Sequence, residues 1–127
     1  VLCIGVLAHV TSVELGLRQI ANFVAKDGIC ILQITRADSV LGKLLTRYRS
    51  FQDRSGYQLN VIDLPFLIST CKRNGLQLRK SIYYSSPLPG MGLLPDSWLL
   101  WFQKHTIAET PIFGLSSEAI LLFGKDA

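Results

Sequence analysis

The chain has 127 residues, of which 49% are hydrophobic and 17% are charged, and its formal net charge is +4. This composition suits one domain or part of one, and it excludes a disordered tail. Apolar runs are shorter than the roughly 18 residues of a membrane span, and no signal-peptide pattern occurs, so we expect a cytoplasmic protein without a membrane segment.

The cysteines and the basic clusters are both explained most simply by ordinary structural roles. Three cysteines lie among apolar neighbours without a CxxC spacing, and these are Cys3, Cys30 and Cys71. They indicate buried free thiols in a reducing compartment, and with only two histidines in the chain we expect no metal site. Basic residues cluster in the stretches 43–54 and 72–80. Solvated helix and strand faces are favoured there over a nucleic-acid surface.

The first predicted elements form a strand, a helix and a strand. The nearly unbroken apolar run Val1–Leu7 is typical of a strand buried on both faces. Thr11 and Glu14 have the spacing of a capping box and predict the start of a helix, for which Gly28 is the expected left-handed C-cap. Ile29–Ile34 is the second buried strand. Such a βαβ unit predicts two parallel strands.

Two further helices and an edge strand follow. Apolar spacing predicts a helix from Ser39 to about Phe51, followed by a polar loop over Gln52–Tyr57. Asp63 is the predicted N-cap of the next helix, with Pro65 in its first turn and Asn74-Gly75 at its end. In Leu76–Tyr84, apolar and polar residues alternate as in an edge strand. The residues expected on its buried face are Leu76, Leu78, Ile82 and Tyr84.

The last part of the chain contains an irregular insertion and a final strand. Between Ser85 and Pro95 lie three prolines and two glycines, which predict a loop. Asp96 caps a short aromatic helix that contains Trp98, Trp101 and Phe102, and a second irregular stretch runs over 106–116. The final strand, Glu118–Phe123, can return antiparallel between its predecessors.

Two segments resemble class I, Rossmann-like S-adenosylmethionine-dependent methyltransferases. Val1–Val10 resembles the family's fourth strand and the turn after it, which end in a "vLxHv"-like sequence. The stretch from Ser12 through Lys26-Asp27-Gly28 to Gln33 is similar to the family's "L…i…LkpGG.lil" pattern, with Asp27 where a first glycine is usual. This resemblance implies an α/β fold, a partial Rossmann-like sheet of family strands 4-5-7-6 with the last strand antiparallel and helices on its flanks.

The same resemblance implies that residues 1–127 are a single partial domain, the carboxy-terminal half of the methyltransferase domain. The family's glycine-rich cofactor loop and its ribose-binding acidic residue do not occur in the chain, so we expect them upstream in a longer protein. The insertion over 85–116 corresponds to a region that covers substrate in this family, and is therefore a candidate substrate cap.

Carried over by position, Ile4, Gly5 and Val6 line the methionine part of S-adenosylmethionine. Gly5 has no side chain, so its backbone can approach a ligand closely. His9, at the end of the same strand, could orient the substrate or accept a proton. Packing and hydrogen bonding by His9 are the favoured alternative, because methyl transfer chiefly needs proximity and alignment.

Substrate contacts are expected from two further places. Gln33 and Thr35 end the second strand at the same sheet edge and could bind substrate or merely cap the strand. Trp98 and Trp101 could form a pocket wall, a packed core or a subunit contact.

The leading hypothesis is methyl transfer from S-adenosylmethionine to an O, N or C nucleophile of a small molecule. The alternative is a non-catalytic α/β half-domain that pairs with a partner chain, which would cover the exposed edge of the first strand. Under either hypothesis, the expected protein partners are a complementing amino-terminal half or a second copy of the chain.

Overall fold

A computed structural model of the chain describes residues 1–40, 43, 44, 47, 60–84, 93–106 and 116–125. Its elements in chain order are β1 (Leu2–Cys3), α1 (Val13–Phe23), β2 (Ile29–Thr35), α2 (Leu64–Arg73), β3 (Leu76–Tyr84), α3 (Asp96–Thr106) and β4 (Glu118–Lys125). None of the described helices is long and apolar enough to cross a bilayer.

Several predicted segments lie wholly or mostly outside the described residues. Of the helix predicted from Ser39 to Phe51, the described residues in helical conformation are Val40, Lys43, Leu44 and Arg47. The loop predicted at 52–57 and most of the irregular stretches at 85–95 and 106–116 fall outside the described residues.

The four strands form one sheet in the order β1-β2-β4-β3. β1 is parallel to β2, with Leu2 opposite Ile31, and β4 is antiparallel to both β2 and β3. This order confirms the predicted arrangement, in which the last strand returns between its predecessors. Since β1, β2 and β3 run in the same direction, their carboxyl ends meet at one edge of the sheet, where β4 begins.

The first strand is much shorter than the sequence predicts. β1 contains only Leu2 and Cys3, and the prediction of a strand over Val1–Leu7 is wrong beyond that point. Gly5 has a φ of 71°, a left-handed conformation that ends the extended backbone. Two other strands extend beyond their predicted ends, β2 to Thr35 and β4 to Lys125.

The ends of α1 correct two predictions. Its N-cap is Ser12, whose Oγ accepts a hydrogen bond from the Leu15 N–H at 3.3 Å, so the capping box expected at Thr11 is wrong by one residue. After the C-cap Val24, the residue with positive φ is Asp27 and not Gly28. A side chain at Gly28 is instead excluded by crowding, because a Cβ there would lie 2.7 Å from the Ala25 carbonyl oxygen.

The predicted caps of α2 are confirmed. Asp63 Oδ2 accepts a hydrogen bond from the Phe66 N–H at 3.1 Å, and a proline occupies the first turn. Asn74 is the C-cap, and Gly75 follows with a φ of 79°. Because these caps depend only on neighbouring residues, the local sequence was sufficient to predict them.

A β-bulge reverses the predicted burial of half of β3. Leu78 pairs with Phe123 and Lys80 pairs with Leu122, so Arg79 is an extra residue in the strand. Beyond the bulge the odd-numbered residues face the core. Tyr83 is therefore buried, whereas the sequence predicted burial of its even-numbered neighbours. Leu78 was also expected to be buried, but it is 36% exposed.

One face of the sheet carries the core. Leu32 of β2 and Leu121 of β4 are fully buried there, together with Leu17 of α1 and Leu67 of α2. Burial of each such leucine contributes roughly 1.5–3 kcal/mol to stability. The opposite face is half-buried and holds alternate residues of β2, β3 and β4. The polar side chains of that face, near the carboxyl edge, contribute to the candidate site.

Candidate functional site at the carboxyl edge of the sheet

Asn60 holds the turn that follows β1. Its side-chain amide donates hydrogen bonds to the carbonyl oxygens of Leu7 at 3.2 Å and Val10 at 2.6 Å. Its backbone N–H donates to the carbonyl oxygen of Ala8 at 2.8 Å. Three hydrogen bonds from one residue therefore fix the backbone around His9.

The residues after Asn60 connect this turn to the end of β2. Ile62 N–H donates to the Thr35 carbonyl at 2.9 Å, and Ala37 N–H donates to the Ile62 carbonyl at 2.9 Å. Segment 60–62 thus lies between the carboxyl ends of β1 and β2 and joins both. This segment could not be predicted from the sequence, because an Asn two residues before a buried Ile is not a distinctive pattern.

The predicted cofactor-binding residues lie on the open side of the sheet edge. Ile4 and Val6 are 57% and 53% exposed, so both offer apolar surface to a ligand. A Cβ at Gly5 would meet no atom within 4 Å, so the positive φ, and not crowding within this chain, accounts for the glycine. Their role in binding a cofactor stays a prediction.

His9 lies just beyond these residues and is exposed. Its backbone N–H donates to the Val6 carbonyl at 3.0 Å, which closes the turn between them. His9 has a further interaction within the chain besides this bond. Exposure at the rim leaves the imidazole accessible for a role in orienting substrate, which stays a prediction.

Gln33 and Thr35 belong to a group of four side chains on the half-buried sheet face, which we call the polar row: Gln33, Thr35, Tyr84 and Glu118. Thr35 Oγ1 donates to the Glu118 carboxylate, at 3.0 Å from Oε1 and 3.2 Å from Oε2. Gln33 Nε2 donates to the Tyr84 hydroxyl oxygen at 2.7 Å. The row spans three adjacent strands, because Thr35 and Tyr84 are both opposite Glu118 in the register.

The electrostatics of the polar row are dominated by Glu118, which is 7% exposed. Burial raises the pKa of the Tyr84 phenol, the nearby Glu118 carboxylate raises it further, and the hydrogen bond from Gln33 lowers it. Tyr84 therefore stays protonated at neutral pH and keeps an O–H donor. Neither Tyr84 nor Glu118 was a candidate in the sequence analysis, since the bulge and the strand register that bring them together are not visible in the sequence.

Arg36 is a buried charge beside this edge, with 4% exposure. Its guanidinium is paired with the Asp38 carboxylate, and its Nη1 donates to the Ser116 carbonyl at 3.2 Å. It also lies 5.1 Å from the centre of the Tyr83 ring. These contacts neutralise the charge and tie the end of β2 to the start of β4. A charged residue directly after a buried strand is a signal that the sequence analysis could have used.

Trp98 and Trp101 lie on α3 and are 67% and 62% exposed. Together with Ser97 they line a cavity of about 450 Å³. The Trp101 ring stacks on His105 with centroids 4.5 Å apart, and His105 Nδ1 lies 2.7 Å from the Trp101 carbonyl oxygen. Among the described residues, no hydrogen bond or ring contact joins either tryptophan to the polar row. A role as a pocket wall therefore stays a prediction.

No family model and no curated protein matches the sequence. Solved structures do match. One is a SAM-dependent methyltransferase of Thermotoga maritima, described as a possible histamine N-methyltransferase, at 17% identity and a TM-score of 0.70. The alignment covers 98% of this chain and 54% of that one. The chain has the fold of Rossmann-like S-adenosylmethionine-dependent methyltransferases.

Two further structures share this methyltransferase fold. One belongs to the complex between the Haloferax volcanii Trm112 methyltransferase activator and a proposed methyltransferase, at 8% identity and a TM-score of 0.59. The other is a proposed S-adenosylmethionine-dependent methyltransferase of Listeria monocytogenes, at 11% identity and a TM-score of 0.56. Both alignments cover 99% of this chain, against 53% and 60% of those chains. The chain thus spans little more than half the length of the structures that it matches.

Proposed function

We propose that the protein containing this chain transfers a methyl group from S-adenosylmethionine to an O, N or C nucleophile of a small molecule. The strand order β1-β2-β4-β3 with β4 antiparallel, which the methyltransferase resemblance implied, is the observation that carries this proposal. Ligands of open α/β sheets bind beyond the carboxyl ends of parallel strands, which is where the candidate residues lie.

In this proposal each group of residues has a distinct role. Ile4, Gly5 and Val6 would hold the methionine part of the cofactor, which supplies an electrophilic methyl group on a sulfonium. Gln33 and Thr35 would position the nucleophile in line with that group, since alignment contributes most of the rate in such a transfer.

His9 would accept the proton that an O or N nucleophile loses as its lone pair forms the new bond. Two observations support this role. His9 is exposed beside Val6, so its imidazole can reach the proton, and the hydrogen bond from Asn60 holds the turn that carries His9. A His9→Ala variant that kept the full rate across pH 6–9 would contradict the role of base and leave positioning by the turn as its contribution.

Cofactor binding by the natural full-length protein is the first test. We expect isothermal titration calorimetry to show saturable binding of S-adenosylmethionine and of S-adenosylhomocysteine. Val6→Asp should weaken both, because it places a charge on the apolar edge. Leu15→Asp is the matched control, since Leu15 is 50% exposed on α1. If neither ligand binds the natural protein, the proposed function is wrong.

A non-catalytic half-domain is the second candidate, and the exposed edge of β1 favours it. Leu2 on β1 is 66% exposed, and Ile4 and Val6, which follow the strand, are exposed as well. Such an apolar strand edge is a template for pairing with another chain. Under this candidate, the natural protein should sediment as a complex and bind no S-adenosylhomocysteine. In-frame coding sequence upstream of Val1 with an acidic residue and a Gly-x-Gly-like loop would favour the enzyme instead.

A further inference from the structure

Arg36 contacts both ends of the insertion that connects β3 to β4. Its Nη1 donates to the carbonyl oxygen of Ser116, the last residue of the insertion, at 3.2 Å. Its guanidinium carbon lies 5.1 Å from the centre of the Tyr83 ring, at the end of β3 where the insertion begins. One buried side chain therefore joins the place where the chain leaves the sheet to the place where it returns.

These contacts use different parts of the guanidinium. Nε and Nη2 pair with the Asp38 carboxylate, Nη1 reaches Ser116, and the group as a whole lies over the Tyr83 ring. A planar fork of donors can make all of these contacts at once, whereas a lysine ammonium is a compact point charge and cannot. The backbone of Arg36 is fixed as well, because its N–H donates to the Ser117 carbonyl at 2.8 Å.

The helix that the insertion carries has little packing of its own. α3 is 11 residues long, and helices of this length are marginal in water without tertiary contacts. All of its described side chains are exposed except Leu99, which is half-buried, and none of them belongs to the buried core. The position of α3, and of the cavity that Trp98 and Trp101 line, therefore depends on how the ends of the insertion are fixed.

We propose that Arg36 is a positioning residue for the candidate substrate cap. It holds the two ends of the insertion together and thereby sets where α3 lies relative to the carboxyl edge of the sheet. This assignment rests on the proposed methyltransferase function, in which the insertion is the candidate cap over the acceptor. Arg36 acts through the insertion and not by touching the acceptor, because its side chain is buried and paired within the chain.

The test uses the natural full-length protein and follows α3 directly. Hydrogen exchange measures the protection of its amides, and limited trypsin digestion with mass spectrometry measures cleavage after Lys104, which is exposed on α3. Arg36→Lys keeps the charge but cannot make all the contacts, so exchange in α3 and cleavage after Lys104 should both rise about threefold or more. Tyr83→Leu removes the ring alone and should raise both by a smaller factor.

Lys125→Met is the matched control, because it also removes a cation that donates to backbone carbonyls, at the opposite end of β4. It should raise exchange at the end of α1 and leave exchange in α3 unchanged. Calorimetry should show that Arg36→Lys binds S-adenosylhomocysteine as the natural protein does, since Arg36 lies outside the β1 turn that is proposed to hold the cofactor.

The possible results separate this inference from the proposed function. Unchanged exchange in α3 of Arg36→Lys and Tyr83→Leu would overturn the assignment, as would an equal rise in α1 and α3 or a rise in α3 of Lys125→Met, since the effect would then be a global loss of stability. If Arg36→Lys does not fold, Tyr83→Leu decides alone by the same criterion. Loss of S-adenosylhomocysteine binding in Arg36→Lys would also overturn the assignment, because Arg36 would then act on the cofactor site. A natural protein that binds no S-adenosylhomocysteine, but whose α3 is still loosened by Arg36→Lys, would refute the proposed function and keep Arg36 as the anchor of the insertion.

Discussion

Asn60 offers the sharpest test of how the edge of the sheet is built. An Asn60→Ala variant removes the two N–H donors that hold the carbonyl oxygens of Leu7 and Val10, at 3.2 and 2.6 Å. Each hydrogen bond contributes a net of about 0.5–1.5 kcal/mol, and the site is part-buried, so water can replace part of the loss. We therefore expect the free energy of unfolding to fall by about 1–3 kcal/mol.

Urea denaturation measures that loss, and hydrogen exchange locates it. The amide of His9, bonded to the Val6 carbonyl, should exchange faster in Asn60→Ala, while amides of β2 should change little. Asn22→Ala is the control, because Asn22 is exposed on α1 and alanine there favours the helix slightly. The reasoning is refuted if Asn60→Ala is as stable as Asn22→Ala and exchange around His9 is unchanged.

Three further predictions concern the frame of the fold. Lys125 Nζ donates to the carbonyl oxygens of Ala21 at 2.7 Å and Val24 at 3.0 Å, at the end of α1. Lys125→Met should therefore lower the free energy of unfolding, measured by urea denaturation, by about 1–2 kcal/mol. An unchanged free energy would show that these hydrogen bonds contribute nothing to stability. Gly28→Ala should lower the free energy of unfolding more than Gly75→Ala does. The new Cβ at position 28 meets backbone atoms, whereas alanine at position 75 costs only the roughly 1–2 kcal/mol of a left-handed residue. The reverse order would contradict the geometry. Burial raises the pKa of Cys71 from 9.0 to about 12, so Cys71 in the native protein should resist iodoacetamide at pH 8 and react only after unfolding. The free energy of unfolding should also fall as the pH rises above about 9, because the thiol of the unfolded chain ionises first. Rapid labelling of Cys71 in the native state would contradict this burial.

Local features of the sequence were sufficient for the elements whose causes are local. The cap at Asp63 and the glycine stop at Gly75 are confirmed, because each depends on side chains and backbone within a few residues. The capping box at Thr11 was wrong by one residue, since Ser12 next to it has an equivalent hydroxyl. The sequence likewise predicted the strand order, but through resemblance to a family and not through physics alone.

The candidate site was only partly predictable. Gln33 and Thr35 could be named because they end a buried strand, where parallel sheets bind ligands. Their partners Tyr84 and Glu118 are 51 and 83 residues away along the chain, and only strand register brings them together. Asn60 could not be named from the sequence for the same reason, since its hydrogen bonds to Leu7 and Val10 join residues about 50 positions apart in the chain.

The sequence by itself therefore determined where α1, α2, α3, β2, β3 and β4 lie, and which face of α1 is apolar, but not how short β1 is. The tertiary structure alone decided which polar groups share the sheet edge. One extra residue at Arg79 shows why: it reverses the burial of Tyr83 and its neighbours without leaving a mark in the alternating pattern. The alternation of apolar and polar residues along a strand shows only which residues share a face. Register and bulges depend instead on how strands that are distant in sequence pair with one another.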